Sequence, residues 1–202
     1  MVLVVTAAER PRFAAELAAM HRQRKRVFVD RFGWELPVTG GELEIDQFDG
    51  EGAVYLLAKD AAGRVTGSER LLPSLGPHVL GDIFPHLCEG GVPRGEDVWE
   101  VSRFCTDPDL PDPALVRKQL LVGLVEFALL QGIRRITCVT HWVGLQQLIG
   151  IGWDARPLGP PQPGGARIGA LAIEITPETL KLVRGQAGFS GPVLRLGAAH
   201  AA

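Results

Sequence analysis

Apolar residues recur along this chain with two spacings, one of about two and one of about three to four, and these divide it into short strands and a few helices. The β-branched run VLVVT at 2–6 reads as a strand. From Pro11 to about Val29 the apolar positions have helical spacing, with Pro at the start. Arg24 and Phe28, four apart, then share one face of that helix. AVYLLAKD and RVTGSERLL, separated by AAG, read as two strands joined by a short turn. LGPHVLGDIFPHL is punctuated by Pro77, Gly81 and Pro85 and predicts an irregular loop or a short helical turn ending at Phe84. VWEVSRFCTD, from Val98 to Asp107, is an apolar strand interrupted by Glu100 and Arg103.

Further on, Asp112 is placed to cap a long helix from Ala114 to about Gln131, and Gly132 stops it. ITCVTHW is a strand whose alternation puts Ile136, Cys138 and Thr140 on one side. Gly144 to Ile149 fits a short helix, GIGWDARPL begins another strand, and GPPQPGG is a turn. GALAIEIT is a last apolar strand, followed by a helix capped near Thr176 with Pro177 in its first turn. Gly33 and the run Pro37 to Gly41 make the region around Trp34 and the acidic segment ELEIDQFD a loop, one expected to order over a ligand.

Strands and helices in this order predict a mixed α/β layer around one sheet. A chain of 202 residues fits one domain. The expected division is a single domain over 1–190, with 1–50 a mobile ligand-side segment within it, and a loose tail over 191–202.

The interrupted strand concentrates the candidate chemistry. Residues three apart in a regular strand point to opposite faces, so Glu100 and Arg103 share a face only if a β-bulge adds one residue. Bulges gather next to active sites, where they re-aim side chains and leave backbone N–H groups unpaired. Alone, the E-x-x-R spacing is equally that of a structural ion pair at a sheet edge.

Composition narrows the function classes. Hydrophobic content of 46% and charged content of 22% are those of an ordinary globular protein. No apolar run is long enough for a membrane span, and MVLVVTAAERP is too short and acidic for a signal peptide, so a cytoplasmic protein with no membrane partner is expected. Cys88, Cys105 and Cys138 are odd in number and lack C-x-x-C spacing, which suggests neither a disulfide framework nor a metal site. Net charge is -2, but residues 1–110 carry 12 Lys+Arg against 18 Asp+Glu, and residues 111–202 carry 9 against 5. An acidic half suits a cationic small molecule, and a basic half an anionic donor. No basic run with interleaved aromatics is present, so nucleic-acid binding is not expected.

The element order resembles the GNAT-type acyltransferase fold, in which two adjacent central strands splay to admit a thioester. Here those are Val98 to Asp107 and Arg135 to Trp142. TDPDLPDPALVRKQL, however, has no glycine, so the usual glycine-rich loop that cradles the coenzyme A pyrophosphate is missing. Arg24, Phe28 and Trp34 in the frame R-x3-F-x5-W, then Asp46 and Asp49 in D-x-x-D, Arg70 in S-E-R-L-L-P, Phe84 in F-P, and Glu100 and Arg103 in W-E-x-S-R-F resemble the acyl-homoserine-lactone synthases, the autoinducer synthases of quorum sensing. The likeness covers about residues 20–155.

That resemblance implies a two-step reaction on S-adenosylmethionine, a consumed substrate, with no further cofactor. The α-amine attacks an acyl thioester on acyl carrier protein or coenzyme A, and the methionine carboxylate then displaces 5'-methylthioadenosine to close a lactone. Glu100 would be the base for the α-ammonium, Arg103 would hold the substrate carboxylate or organise Glu100, and bulge N–H groups would receive the oxyanion. Arg24, Phe28, Trp34, Arg103 and Phe104 would form the adenosylmethionine pocket, with Asp46, Asp49 and Arg70 an ion-pair cluster shaping it. The acyl pocket would be lined by Phe84, Leu121, Val122, Val125, Phe127, Cys138, Thr140, Trp142 and Leu148, with Phe104 alternatively narrowing its tunnel. Thr140 falls where some relatives use a hydroxyl residue to favour a 3-oxo chain. Arg117, Lys118, Arg134, Arg135, Lys181 and Arg184 would dock an acidic carrier protein, or form a solvated basic face. Cys105 lies beside the site but has no adjacent His to activate it, so direct transfer is expected. The alternatives are an N-acyltransferase acting on another amine and a non-catalytic ligand sensor.

Overall fold

The computed structural model describes residues 1–141, 143, 144, 146, 148, 152–160 and 168–196. Among these residues eight strands form one sheet and two more form a small hairpin. The strands are β1 (Val2–Val5), β2 (Val38–Thr39), β3 (Leu43–Glu44), β4 (Val54–Lys59), β5 (Val65–Pro73), β6 (Val98–Thr106), β7 (Arg135–His141), β8 (Ala155–Pro157), β9 (Ile168–Glu174) and β10 (Leu194–Arg195). In the large sheet their spatial order is β10-β1-β4-β5-β6-β7-β9-β8, and β2 and β3 form the hairpin. The helices are α1 (Ala14–Arg24), α2 (Val79–Asp82), α3 (Pro113–Leu130) and α4 (Pro177–Ala187).

The strands follow the apolar runs, and the caps follow the polar residues at their edges. Asp112 accepts a hydrogen bond from the Ala114 amide at 2.9 Å, and Thr176 from the Thr179 amide at 3.2 Å. Each satisfies an amide that the first helical turn leaves open. Gly132 ends the α3 segment at a φ of 68°, a conformation suited to glycine.

α3 and α4 pack on one face of the sheet, over a core that includes Leu56, Leu71, Leu120, Val125, Ile136 and Leu171. α1 covers the other face through Leu3, Met20, Tyr55, Leu57 and Leu72. α2 sits on the α1 face, over β6 and β7.

Two details depart from the expected pattern. α1 does not run on regularly to Val29: Lys25–Arg31 is a π-helical stretch in which the Phe32 amide reaches back to the Val27 carbonyl at 3.0 Å. Within the segment expected as a tail from residue 191, a short strand forms. Leu194–Arg195 pairs in parallel with Val2 and Leu3, and the Glu126 carboxylate accepts the amides of Val193 and Leu194, both at 3.0 Å. Burial of an acid in α3 that needs partners is what anchors the chain end. The short helix expected over Gly144 to Ile149 and the turn at 159–165 fall partly outside the described residues, and Trp142 wholly so.

Candidate active site

β6 pairs with β7 only over Val98↔Arg135, Trp99↔Ile136 and Glu100↔Thr137. Both strands continue beyond that point, so they part after Glu100 and leave their facing edges unpaired to one another. On its other side β6 pairs with β5, and the register shifts: Ser68 faces Cys105, whereas Arg70 faces Ser102. Arg103 and Phe104 therefore stand opposite the single residue Glu69. That two-to-one count is a β-bulge. Arg103 takes a φ of 53°, the only non-glycine residue at positive φ among the described residues, and a bulky residue held there is under strain.

The bulge sorts the side chains. Ser102 accepts from Arg70 Nε at 3.1 Å, and Cys105 packs with Val27 and Phe28, both on the α1 face. Arg103 joins them there, three residues after Glu100. Phe104 is sent to the opposite face, against the α3 core with Trp99 and Val101. Of the two places expected for Phe104, this face is the one on the acyl side.

Glu100 is wholly buried. Its two oxygens accept the backbone amides of Val79 at 2.9 Å and Leu80 at 2.5 Å, at the start of α2. Burial pushes its pKa up to about 7, although those amides pull the other way. Each oxygen keeps a second lone pair for a proton or a water. Arg103 does not organise Glu100. It reaches Glu44 at 3.0 Å and Asp46 at 2.8 Å, and its guanidinium lies 5.5 Å from the centre of the Phe28 ring, within cation–π reach.

Arg24 belongs to the same ion-pair cluster as Asp46, Asp49 and Arg70. It is fully buried and donates to Glu44 and, at 2.8 and 2.9 Å, to both oxygens of Asp49. Arg70 meets Asp46 at 2.5 Å and Asp49 at 3.0 Å. Burial alone would raise the Asp49 pKa, but Arg24 and Arg70 hold it far below the ordinary carboxylate range. Glu44 is likewise opposed by burial and held low by Arg24 and Arg103. Three arginines and three acids thus form a closed floor in which every charge has an opposite neighbour. Glu44 was not among the residues singled out from the sequence, although it alternates with Asp46 in ELEIDQFD.

Above this floor Phe28 stacks on Trp34 with ring centres 5.1 Å apart. Trp34 in turn lies 6.3 Å from His141, at the end of β7. The indole from the 33–50 loop therefore bridges to the far side of the splayed strands while remaining 38% exposed. His141 is a second residue the spacing arguments did not find.

On the α3 face, Cys138 and the partly exposed Leu121, Thr140 and Leu148 lie on the side expected for an acyl chain. Val122 and Val125 have no exposure, and Phe127 packs edge-on to Trp99, all three in the core on that same face. Phe84 is displaced from the set: it packs with the α1-side core and with Leu80 and Leu87, so the sheet separates it from Leu121. Of the basic face, Arg134 pairs with Asp97, Arg135 with Glu174 and Arg184 with Glu126. Burial pushes the Cys105 thiol up to about 11, which leaves no thiolate for nucleophilic work.

A family model described as autoinducer synthase matches residues 9–181. The chain belongs to the autoinducer synthase family. It is 35% identical over 188 residues to the acyl-homoserine-lactone synthase of Ralstonia solanacearum, covering 88% of this chain and 92% of that one. Among solved structures it resembles the CoA-dependent acyl-homoserine lactone synthase BjaI with SAM and isopentyl-CoA, at a TM-score of 0.89 and 29% identity over 98% of this chain and 93% of that one. It resembles the CoA-dependent synthase MesI at 0.88 and 34% identity, over 96% and 98%. A likeness to an N-acetyltransferase of Lactobacillus plantarum, TM-score 0.61 at 18% identity, shows the shared GNAT-like fold alone.

Proposed function

We propose that the protein makes an N-acyl-L-homoserine lactone from S-adenosylmethionine and an acyl-CoA. The observation that carries this reading is the parting of β6 and β7 just beyond Glu100, in a chain that superposes over almost its full length on a CoA-dependent synthase holding SAM and isopentyl-CoA. Adenosylmethionine lies on the α1 face, under the Phe28–Trp34 stack, and the 33–50 loop closes over it. The acyl thioester enters between the parted strands.

Glu100, directly or through one water, takes a proton from the α-ammonium; a pKa about 7 suits that exchange near neutrality. The freed amine attacks the thioester carbonyl, and N–H groups on the unpaired edge of β6 receive the oxyanion. The C–S bond then breaks, coenzyme A leaves as the thiol, and the amide forms. In the second step the methionine carboxylate attacks its own γ-carbon, the sulfonium C–S bond breaks, and 5'-methylthioadenosine departs. The sulfonium is already a good leaving group, so this step mainly needs a folded conformer held near attack geometry.

An acyl-CoA donor is favoured over acyl carrier protein because two solved synthases that the chain resembles, at TM-scores of 0.89 and 0.88, are CoA-dependent. The test is mass spectrometry after mixing the protein with adenosylmethionine and, separately, a panel of acyl-CoA and acyl-carrier thioesters. Acyl-homoserine lactone and methylthioadenosine in equal amounts from acyl-CoA are the expected result. An amide product without methylthioadenosine would point to another N-acyltransferase reaction, and turnover confined to carrier-bound acyl groups would overturn the donor.

A further inference from the structure

Glu69 stands opposite the bulge, in the middle of β5. Its neighbours in the strand fix its direction. Ser68 reaches Cys105 and Arg70 reaches Asp46, both on the α1 face. Gly67 lies against Val116 and Leu120 of α3, and Leu71 belongs to the α3-side core. By alternation Glu69 faces α3, beside Leu56 across the β4–β5 ladder and level with Phe104 of the bulge.

This is an unusual place for an acid. Glu69 is 1% exposed, and both carboxylate oxygens are buried without a hydrogen-bond partner. Burial raises its pKa well above the ordinary value, which favours the neutral acid over the carboxylate. A neutral carboxylic acid offers one O–H donor and one carbonyl acceptor, and leaving both unmet in an apolar layer is costly. No catalytic step above uses it. It lies on the same face as Cys138 and Thr140, one strand across from the parted edge of β6.

We infer that Glu69 selects the acyl donor, favouring a chain that carries a hydroxyl or keto oxygen over a plain saturated chain of equal length. The inference rests on the acyl-CoA reading of the preceding section and extends it. A saturated chain seated beside Glu69 leaves both of its polar atoms unmet; an oxygenated chain supplies a partner. Thr140 sits on the other flank of β6, so the two polar groups bracket the α3 side of the splay.

The experiment measures kcat/KM by methylthioadenosine release with butanoyl-, hexanoyl- and octanoyl-CoA and with their 3-hydroxy, 3-oxo and terminal-hydroxy counterparts. The wild-type protein, Glu69→Gln and Glu69→Leu are compared, with thermal unfolding as a check on folding. The expected result is a preference of about tenfold or more for an oxygenated donor over its saturated partner. Glu69→Gln keeps most of that preference, and Glu69→Leu abolishes it by improving use of the saturated chain. Equal use of both donor types by the wild type, or an unchanged ratio in Glu69→Leu, would overturn the inference. A uniform loss with every donor would also overturn it, assigning Glu69 to the shared pantetheine arm. Absence of methylthioadenosine with all donors would instead overturn the underlying acyl-CoA reading, and this inference with it.

Discussion

Arg103 donates from Nε and Nη2 to one oxygen of Glu44, at 3.2 and 3.0 Å, and the other oxygen of that carboxylate takes Arg24. Glu44 thus joins the strained bulge of β6 to the first helix. Replacing it by Ala would leave two buried or nearly buried guanidinium groups short of a partner. Removing one member of a buried ion pair typically costs about 3–5 kcal/mol. Glu44→Ala is therefore expected to shift the urea unfolding midpoint strongly and to lose turnover, with Glu44→Gln intermediate. A midpoint within error of the wild type would show that Glu44 does not brace the bulge.

Trp34 is only partly buried, and its contacts are Phe28, Phe32 and His141. Trp34→Ala is expected to weaken adenosylmethionine binding about tenfold, an effect of the size that lost aromatic contacts produce, with little change in unfolding midpoint. Calorimetric titration with adenosylmethionine checks this. An unaltered dissociation constant would make the stack a packing feature.

For Glu100 the pH dependence has a definite sign. Its folded pKa is about 7, above the ordinary value of 4.5, so the folded state retains a proton that the unfolded chain loses. Its contribution to stability therefore falls as pH rises through that window. Asp49 acts oppositely: its folded pKa is depressed, so its stabilisation is present above the ordinary carboxylate range and is lost as the medium becomes strongly acidic. With Glu100 as the proposed base, turnover is expected to rise with pH through about 7. Glu100→Gln is expected to lower kcat at least tenfold with adenosylmethionine affinity little changed. A flat pH–rate profile together with undiminished turnover would restrict Glu100 to anchoring α2.

Cys105 contacts Ser68 at 3.6 Å and is buried beside the site. Direct transfer predicts that Cys105→Ala keeps methylthioadenosine release within a few-fold of the wild type, and that no acyl adduct of the protein appears in intact-mass spectra during turnover. An adduct at Cys105 would replace direct transfer with an acyl-enzyme.

Glu126 predicts a separable effect at the far edge of the sheet. It holds the amides of Val193 and Leu194 and pairs with Arg184. Glu126→Ala should speed hydrogen exchange over residues 193–195, consistent with the loss of about 1–3 kcal/mol that an unmet buried amide costs, while turnover is retained. Exchange rates unchanged from the wild type would mean that pairing with β1 alone holds the chain end.

The period of the apolar positions was enough to read the strands β4 to β7 and β9, the long helix α3 and its Asp112 cap, because these depend on neighbours within a few residues. The need for a bulge was legible too, since an acid and a base three apart cannot otherwise share a strand face. Three-dimensional contacts decided the rest. Periodicity tells which residues share a face of one element, not which neighbour that face meets, and so Phe84 came to lie across the sheet from Leu121, and only the bulge decided between the two faces open to Phe104. ELEIDQFD offers several acids at similar spacing, and only docking of α1 against the β2–β3 hairpin selects Glu44 to join Arg24 and Arg103. The chain end carries no strong local signal, yet Glu126, far away in sequence, supplies the acceptor that fixes it. Such pairings are set by the burial of charge between distant segments, and that energy has no counterpart in local sequence.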